Sequence, residues 1–387
     1  MKIIVGMSGG VDSTIAAYIL KKQGHEVIGI CLNFCDNIDE KNDTLDWKVC
    51  EKLNNLSSQL GIKIYEKDYR KEFKDTVIKY FVDEYKKGYT PNPCAYCNGV
   101  MKFEKLLSAM KEYGADMIAT GHYAKVGYID NTLNGRRYFI KKSKNEQKDQ
   151  SYMLYSLSQE QLSHLILPIG DMDKSEVRDL AKESGFEEAY KKDSQDVCFI
   201  LKEQLGEDSD YREFIKRYDF GDDYKEQIAR GMLSDVDMSK VSYLQKGEFV
   251  DTKGNVLGFH KGIINYTIGQ RKGLNIAFGE RKFVVDINVK ENRIVLGDND
   301  ELFSSEFKVK TLNGQKIDID CIVRKDLCEK IFAKVRYRHA GTECIVCKDD
   351  DETIVCKLKE PVRAITRGQA AVFYDENDDI LFGGTII

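Results

Sequence analysis

The sequence contains no long hydrophobic run: nowhere in its 387 residues does an apolar stretch approach the roughly 18 residues that a membrane-spanning helix needs. It also has no internal repeat and no low-complexity segment, and because it enters a predicted strand at once, we expect no signal segment. A net charge of −5 excludes a uniformly basic nucleic-acid coat, although local patches can still bind RNA. We therefore expect a cytoplasmic protein without a membrane partner, whose 11 cysteines are reduced, metal-bound or catalytic.

Two common phosphate-binding motifs are missing as well. The first predicted strand, residues 3–5, is followed by Gly6-Met7-Ser8-Gly9-Gly10-Val11-Asp12-Ser13 and then by a helix that ends at Gly24. A Walker loop would end in Lys-Ser/Thr, and a dinucleotide-binding loop would read G-x-G-x-x-G; this loop does neither. A Gly- and Ser-rich turn that opens a helix still exposes backbone N–H groups, which suit phosphate. An ordinary glycine-rich turn is the alternative interpretation.

Strands and helices alternate through the N-terminal half. We predict strands at residues 3–5, 26–32, 62–66 and 116–120 and helices at 49–60, 73–85 and 100–113. This order predicts an α/β domain with an open parallel sheet and helices on both faces, in which ligands collect at the carboxyl ends of the strands. The loop at Ser8 and the segment Thr120-Gly121-His122 both fall at that edge.

The second half of the chain changes in character. Residues 202–247 are charged and helix-prone, whereas from Phe283 onward apolar residues alternate with period two. We expect three domains: the α/β domain over 1–201, a small middle domain over 202–280 and a C-terminal antiparallel β-barrel over 281–387. A hairpin is predicted over 127–144, and its basic run at 136–148 is either a phosphate contact or a solvated face.

The cysteines divide into three groups. Cys94 and Cys97 form a C-x-x-C pair just ahead of a predicted helix, whose dipole would lower a thiol pKa. The pair by itself fits half a zinc site, a redox pair or part of an iron–sulfur site. Cys198 opens a short predicted strand, residues 198–200. The remaining cysteines are expected to be packing residues; those without any partner pattern are Cys31, Cys35, Cys50, Cys321, Cys328 and Cys356.

Seven motifs occur in an order that is similar to that of a known family. They are the Ser8 loop, Thr90-Pro91-Asn92-Pro93 ahead of Cys97-Asn98, Thr120-Gly121-His122-Tyr123-Ala124, Lys148-Asp149-Gln150-Ser151-Tyr152, Asp193-Ser194 before Cys198-Phe199-Ile200, Tyr266 to Leu274, and Gly368 to Tyr374. The first resembles the PP-loop of the N-type ATP pyrophosphatases. Together they resemble the bacterial tRNA-specific 2-thiouridylases, nearly from end to end.

The resemblance implies a reaction and a set of site residues. The expected activity is replacement of the C2 oxygen of the wobble uridine of tRNA by sulfur, with ATP and Mg²⁺. ATP would be bound by Gly6, Met7, Ser8, Gly9, Gly10, Val11, Asp12, Ser13, Leu32 and Gly121. Asn92, Pro93 and Cys94 would border the target base, and tRNA would also contact His122, Lys148, Asp149, Gln150, Arg336, Tyr337 and Gln369. Cys97 would be the nucleophile, and Cys198 would carry the incoming sulfur.

Two routes for the sulfur stay open at this stage. In one, a cysteine desulfurase or a relay protein supplies a persulfide on Cys198, and Cys97 attacks the sulfur–sulfur bond. Free sulfide, the other expected donor, fits the second route. In the other, Cys94, Cys97 and Cys198 hold a 4Fe–4S cluster that binds hydrosulfide. The second route is raised by Cys94 itself, because many members of the family carry an acidic residue there.

Other functions remain as alternatives. The same chemistry could act on another tRNA uridine to give 4-thiouridine. A ligase with an amine nucleophile would use the same adenylating loop but would not need Cys97 and Cys198. A non-catalytic RNA-binding or metal-sensing protein would not need the loop. The chain departs from the family pattern between residues 214 and 247 and at Arg367, which replaces a usual proline. These departures concern the docking of tRNA rather than the type of reaction.

Overall fold

The computed structural model describes residues 1–35, 53–130, 135–190, 197–200, 210–221, 224–227, 241–274, 281–319, 330–349 and 352–387, and the backbone of 38–39, 44–45, 47–52, 131 and 228–229. Several predicted features fall outside these residues: the Asp193-Ser194 motif, the side chain of Cys50, the turn of the hairpin, Cys321 and Cys328. Within the described part of the chain, no helix has both the length and the apolar character that crossing a membrane requires.

A parallel five-stranded sheet in the order β5-β2-β1-β6-β9 forms the centre of the N-terminal domain. The strands of this part are β1 (Lys2–Gly6), β2 (Glu26–Asn33), β3 (Ile38–Asp39), β4 (Thr44–Leu45), β5 (Lys63–Asp68), β6 (Met117–Ala119), β7 (Lys125–Asn131), β8 (Gly135–Lys141) and β9 (Leu165–Ile166). The helices are α1 (Val11–Lys22), α2 (Trp47–Leu60), α3 (Arg70–Phe73), α4 (Lys79–Lys86), α5 (Pro93–Cys97), α6 (Phe103–Glu112), α7 (Gln159–Ser163) and α8 (Lys174–Glu183). Single π-helical turns at Lys74–Ile78 and Asn98–Lys102 join α3 to α4 and α5 to α6, and 3₁₀ turns lie at Ser151–Leu154 and Glu187–Tyr190.

The apolar run of the first strand explains its central place in this sheet. Ile3, Ile4 and Val5 are fully buried, because helices cover both faces of a parallel sheet. On α1, Ile15 and Leu20 are buried on the side that faces the strands. The predicted parallel α/β fold is confirmed.

One predicted strand is wrong. Residues 197–200 form a turn, in which the backbone N–H of Ile200 donates to the carbonyl oxygen of Val197 at 3.0 Å. The apolar character of the segment reflects the burial of Phe199 in an aromatic cluster rather than pairing in a sheet.

The middle of the chain forms a four-stranded sheet in the order β11-β10-β13-β12. Its strands are β10 (Gly247–Asp251), β11 (Val256–His260), β12 (Phe283–Asn288) and β13 (Arg293–Gly297), preceded by helices α9 (Tyr211–Phe220) and α10 (Tyr224–Ala229), with 3₁₀ turns at Ser242–Leu244 and Ile263–Asn265. The period-two pattern from Phe283 was expected to open the C-terminal barrel. It belongs to this sheet instead, because β13 pairs in parallel with β10. Alternation identifies a strand but not its partner.

The C-terminal part is a closed barrel in the order β14-β17-β16-β15-β18-β19, and every pair in it is antiparallel. Its strands are β14 (Phe303–Gly314), β15 (Ile331–Lys334), β16 (Thr342–Lys348), β17 (Ile354–Arg363), β18 (Ala370–Tyr374) and β19 (Ile380–Ile386), and a 3₁₀ turn at Asp300–Leu302 precedes it. The predicted antiparallel barrel is confirmed. Of the C-x-x-C pair on β16, Cys344 is buried in the barrel as expected, whereas Cys347 is exposed.

The barrel packs directly on the N-terminal domain. Gln315, which is fully buried, accepts a hydrogen bond from the Ile140 N–H at 3.0 Å and donates to the carbonyl oxygens of Leu154 and Tyr155 at 2.8 and 3.0 Å. The side chain of Gln315 therefore satisfies three backbone groups of the other domain.

Replacing Gln315 by Leu should lower the free energy of unfolding by on the order of 3 kcal/mol, because one buried donor and two buried acceptors lose their partner. Calorimetry of the full chain measures the effect. The matched control is Gln147→Leu, since Gln147 is exposed. Equal melting temperatures for the two variants would contradict this role of Gln315.

Candidate active site

The predicted phosphate loop leads from β1 into α1 and is ordered by its own hydroxyl groups. Ser8 Oγ lies 3.1 Å from Ser13 Oγ, which also accepts from the Ser8 N–H at 3.2 Å. Gly9 has a φ of +66°, in the left-handed region that favours glycine. Gly10, the N-cap residue, provides no side-chain cap, so the first N–H groups of α1 are left for an anion.

Asp12 is held in place by two residues from distant segments. Tyr123 donates from its hydroxyl to Asp12 Oδ1 at 2.7 Å, and Lys174 Nζ lies 2.8 Å from each carboxylate oxygen. Sequence reasoning placed Asp12 in the loop but missed Lys174, whose only local signal was the start of a helix at Asp173. The ammonium group of Lys174 therefore adds positive charge beside the phosphate loop.

Gly121 and Leu32 lie at the same edge of the sheet as this loop. The register pairs Gly6 with Ile30 and Val5 with Ala119. The ends of β1 and β6 therefore lie at one edge, where β2 continues past Ile30 to Asn33. A Cβ atom on Gly121 would lie 2.5 Å from the carbonyl carbon of Asp12 and 2.7 Å from the Ser13 nitrogen. Only glycine allows this approach of the β6 end to the start of α1.

The C-x-x-C pair lies within α5 rather than ahead of it. Asn92 caps this helix, because its Oδ1 accepts from the Ala95 N–H at 3.1 Å. Cys97 is buried at the last position of α5, whereas Cys94 is exposed. The expectation that a helix dipole lowers their pKa values is wrong, because desolvation dominates: it raises the pKa of Cys94 and raises that of Cys97 to about 12.

Cys198 lies close to a thiol that sequence reasoning did not single out. The Cys35 thiol donates to Cys198 Sγ, with 3.9 Å between the two sulfurs. This contact lowers the pKa of Cys198 to about 7, against the opposing effect of burial. Cys35 does pack against the surrounding apolar cluster, as expected of a packing residue, but it also contacts the predicted sulfur carrier.

The ammonium group of Lys102 affects the pKa values of all three predicted cysteines. The charge of Lys102 lowers the pKa values of Cys94, Cys97 and Cys198, and the charge of Cys198 raises those of the other two. The structure therefore brings the three predicted cysteines into one electrostatic neighbourhood. Sequence analysis gave no signal for Lys102, which follows the C-x-x-C pair on the π-helical turn Asn98–Lys102.

The described residues do not form a ready metal site. Among them, no group of three or more His, Cys, Asp or Glu side chains is arranged to hold a metal ion, and Cys198 is paired with Cys35. The donor set thus does not fit a cluster bound by Cys94, Cys97 and Cys198 in this conformation, and we derive no chemical step through one.

His122 and Gln150, two of the predicted tRNA contacts, lie near the predicted phosphate loop. His122 Nδ1 is 2.7 Å from Thr120 Oγ1, and its ring stacks on Phe103. Burial lowers the pKa of His122 well below its ordinary value, so the ring is neutral at neutral pH. The side-chain oxygen of Gln150 accepts from the Tyr123 N–H at 2.9 Å, and the backbone N–H of Gln150 donates to the Tyr123 carbonyl oxygen at 2.8 Å.

Asp149 is buried, and its hydrogen bonds are internal. It accepts from the backbone N–H of Ser143 at 2.9 Å and from the hydroxyl of Ser151 at 2.7 Å. In this conformation Asp149 shapes the loop that presents Lys148, which is half-buried.

The barrel supplies the other predicted tRNA contacts. Arg336 is exposed and donates to the carbonyl oxygen of Arg363 at 2.9 Å, and Tyr337 lies beside Tyr152. Gln369 donates to the carbonyl oxygen of Thr90 at 2.9 Å. The barrel therefore fixes the loop that leads into α5.

Arg367, one of the departures from the family pattern, and two basic residues of the hairpin form ion pairs with other parts of the chain. Arg367, which replaces the usual proline, accepts from the Thr90 N–H at 2.8 Å through its carbonyl oxygen, and its guanidinium pairs with Asp286. In the hairpin, Lys141 pairs with Asp379 at 3.0 Å, and Arg137 pairs with Asp318 at 3.3 Å. These hairpin cations therefore bind the barrel.

A cavity of about 650 Å³ lies between the helices and the barrel. Asn92, Tyr96 and Gly99 line it from the α5 side, and Thr311 lines it from the barrel. Neither Cys94 nor Cys97 is among its lining residues, because these cysteines occupy another face of the helix. The cavity is thus separate from the group of thiols.

Three family models match consecutive parts of the chain. They are described as the tRNA methyl transferase HUP domain over 1–202, the tRNA methyl transferase PRC-barrel domain over 239–298 and the aminomethyltransferase beta-barrel domain over 306–387. A solved 4-thiouridine synthetase–RNA complex with bound ATP aligns with 51% of this chain and 44% of that chain, at 20% identity and a TM-score of 0.35, a value from which we infer nothing.

Curated relatives match the whole chain. It is 42% identical to the tRNA-specific 2-thiouridylase MnmA of Clostridioides difficile, over 100% of this chain and 98% of that protein. It is 41% identical to the protein of the same name from Lachnoclostridium phytofermentans, over 100% and 99%. The fold and these comparisons define a nucleotide-binding α/β enzyme. The chain belongs to the MnmA family of tRNA-specific 2-thiouridylases, as its motifs predicted.

Replacing Gly121 by Ala should weaken ATP binding at least about tenfold, or ~1.4 kcal/mol, because the new methyl group would overlap the backbone of Asp12. Calorimetric titration with ATP measures the affinity. Gly185→Ala is the control: it introduces strain at a φ of +77° but meets no atom within 4 Å. Equal ATP affinity in both variants would contradict the close approach of Gly121 to α1.

The alkylation of Cys198 by iodoacetamide should accelerate as pH rises through about 7, because the thiolate is the reactive form and exists above the pKa. Cys97 should react far more slowly at the same pH. In Cys35→Ala the half-maximal rate of Cys198 should move to higher pH, since the hydrogen-bond donor is lost.

Peptide mass spectrometry after timed quenching gives the rate for each cysteine. Cys347→Ala removes an exposed thiol of the barrel and should leave the Cys198 profile unchanged. A Cys198 profile that is the same in Cys35→Ala and in the unsubstituted chain would refute the effect of Cys35.

Proposed function

We propose that this chain is an ATP-dependent tRNA uridine 2-thiolase that acts on the wobble uridine. The observation that carries the proposal is that Cys97 packs in one cluster with Phe199, the neighbour of Cys198, in a domain whose sheet ends in an uncapped phosphate loop. The charges of Cys94, Cys97 and Cys198 also interact. The full-length similarity to proteins named tRNA-specific 2-thiouridylase supports the choice of substrate.

The phosphate loop activates the base. The C2 oxygen of uracil is a poor leaving group, and its transfer to AMP creates a good one. The N–H groups at the start of α1 and the ammonium of Lys174 would stabilise the negative charge that develops on the phosphates. Mg²⁺ would be held by phosphate oxygens and the Asp12 carboxylate, and when bound it would neutralise further phosphate charge.

Cysteines then deliver the sulfur. A persulfide on the exposed Cys198 would provide it to C2, and AMP would leave. Cys97 would then attack Cys198 Sγ, and the bond between Sγ and the sulfur now on C2 would break, with its electron pair going to the thiouracil. The resulting Cys97–Cys198 disulfide must be reduced by a dithiol. The sulfane sulfur of this persulfide would come from a cysteine desulfurase or a relay protein, because free sulfide could form a persulfide only with an added oxidant.

The tRNA would reach this site across two domains. Arg336 and Tyr337 on the barrel and Lys148 on the α/β domain would contact its backbone, whereas Asn92, Pro93 and Cys94 would border a base that is flipped out of its stack.

Anaerobic incubation of the full chain with ATP, Mg²⁺, polysulfide and a tRNA transcript tests the proposal. We expect one AMP and one pyrophosphate for each 2-thiouridine found by nucleoside mass spectrometry. A transcript with cytidine at the wobble position is the matched control and should give none. Asp12→Asn should lower the AMP yield at least about tenfold, because it removes the charge that Lys174 and Mg²⁺ bind.

Three other results would contradict the proposal in different ways. The appearance of 4-thiouridine would identify another uridine position of attack. Full ATP turnover by Cys97→Ser with an amine acceptor would identify a ligase. Iron and sulfide in anaerobically purified protein, together with loss of activity in Cys94→Ala, would favour delivery through a cluster over delivery through a persulfide.

A further inference from the structure

The chain carries a second thiol next to the predicted sulfur carrier. Cys35 follows β2 and Cys198 lies in the turn of residues 197–200, and their sulfur atoms are 3.9 Å apart. Cys35 is partly exposed and Cys198 is exposed, so the pair can be reached by a sulfur donor. A disulfide needs the sulfurs to close to about 2.05 Å, a short further approach.

Aromatic packing holds the two cysteines together. Phe34, beside Cys35, stacks on Phe73 with 5.0 Å between ring centroids. Phe199, beside Cys198, packs edge-on against the same ring at 5.8 Å. Phe73 is buried to 1% exposure, so both cysteine-bearing segments are anchored on one rigid side chain.

The end of β2 is fixed by a further contact. The backbone N–H of Tyr69 donates to the carbonyl oxygen of Asn33 at 2.9 Å. On the other side, Phe199 also packs against Phe81 at 5.1 Å. The placement of Cys35 beside Cys198 thus follows from buried packing on both segments.

We propose that Cys35 is a resolving cysteine for a persulfide on Cys198 and releases its outer sulfur as hydrosulfide. The proposal deepens the proposed function and rests on it for the use of the sulfur, but the exchange itself needs no tRNA. It adds a third thiol to a reaction otherwise assigned to Cys97 and Cys198.

The step balances without an external oxidant. The Cys35 thiolate attacks Cys198 Sγ, the bond between Sγ and the outer sulfur breaks, and a Cys35–Cys198 disulfide forms. The outer sulfur takes the electron pair and leaves as hydrosulfide. The Cys35 sulfur is thereby oxidised and the outer sulfur is reduced, while Cys198 Sγ keeps the oxidation state that it has in the persulfide. A dithiol reductant returns both cysteines to thiols for the next cycle.

This route changes what reaches the activated base. Hydrosulfide is smaller than a protein-bound persulfide and can attack C2 without movement of the 197–200 turn. Cys97 would then stay outside the disulfide. The Cys198 persulfide could then be cleaved either by Cys97 or by Cys35, and Cys35 is already in contact with Cys198.

The test loads the full chain with sodium polysulfide in the absence of tRNA and ATP. After desalting, samples are quenched with iodoacetamide at timed intervals, and peptides are mapped without reduction. We expect a Cys35–Cys198 disulfide and one hydrosulfide per chain, in the unsubstituted protein and equally in Cys97→Ser. Cys31→Ser, which removes the cysteine of β2 itself, is the matched control and should give the same products.

Substitution of Cys35 should trap the intermediate. In Cys35→Ser combined with Cys97→Ser, the persulfide on Cys198 should persist at least about tenfold longer than in Cys97→Ser alone. A Cys97–Cys198 disulfide as the only product in the unsubstituted chain would overturn the proposal. Equal persulfide lifetimes in the double and single variants, or no Cys198 persulfide in the double variant, would overturn it as well.

The two proposals can fail separately. If the disulfide and hydrosulfide form but 2-thiouridine is never made, the resolving role of Cys35 stands and the proposed function fails. If 2-thiouridine is made while no peptide links Cys35 to Cys198, the proposed function stands and this inference fails.

Discussion

The shared carboxyl edge of the parallel sheet is the constraint on which the rest of the structure depends. Because β1, β2 and β6 run in the same direction and in register, their ends must lie side by side. That edge gathers the phosphate loop, the segment that carries Cys35, and Gly121. The predicted phosphate loop and the segment of Cys35, which lie apart in sequence, thereby follow neighbouring strands of one sheet.

Buried packing then decides which thiols meet. Phe73 packs against the aromatic neighbours of both Cys35 and Cys198. Asn92 caps the helix that carries Cys97 and so sets where this helix begins. The barrel contributes at a distance, because Gln369 and Arg367 fix the loop ahead of that helix. The barrel therefore helps to position the helix that carries Cys97, through its hydrogen bonds to the backbone of Thr90.

Sequence reasoning found the parts of this structure that are local. The strand–loop–helix unit at Ser8, the parallel sheet and the final barrel follow from hydrophobic period and glycine placement. Contacts between distant segments have no comparable local pattern in the sequence. Lys174 on Asp12, Cys35 on Cys198 and the pairing of β13 with β10 depend on tertiary packing. The short apolar run at Phe199 was taken for a strand because burial in an aromatic cluster and burial in a sheet select the same residue types.

The transfer of the uridine C2 oxygen to AMP is the central claim, and isotope labelling tests it directly. A tRNA transcript whose wobble uridine carries oxygen-18 at C2 is incubated with the full chain, ATP, Mg²⁺ and a sulfur source. Our account predicts that the AMP produced carries the heavy oxygen and that the product base has lost it. Unlabelled AMP formed together with thiolated tRNA would show that the oxygen leaves by another path and would contradict the account.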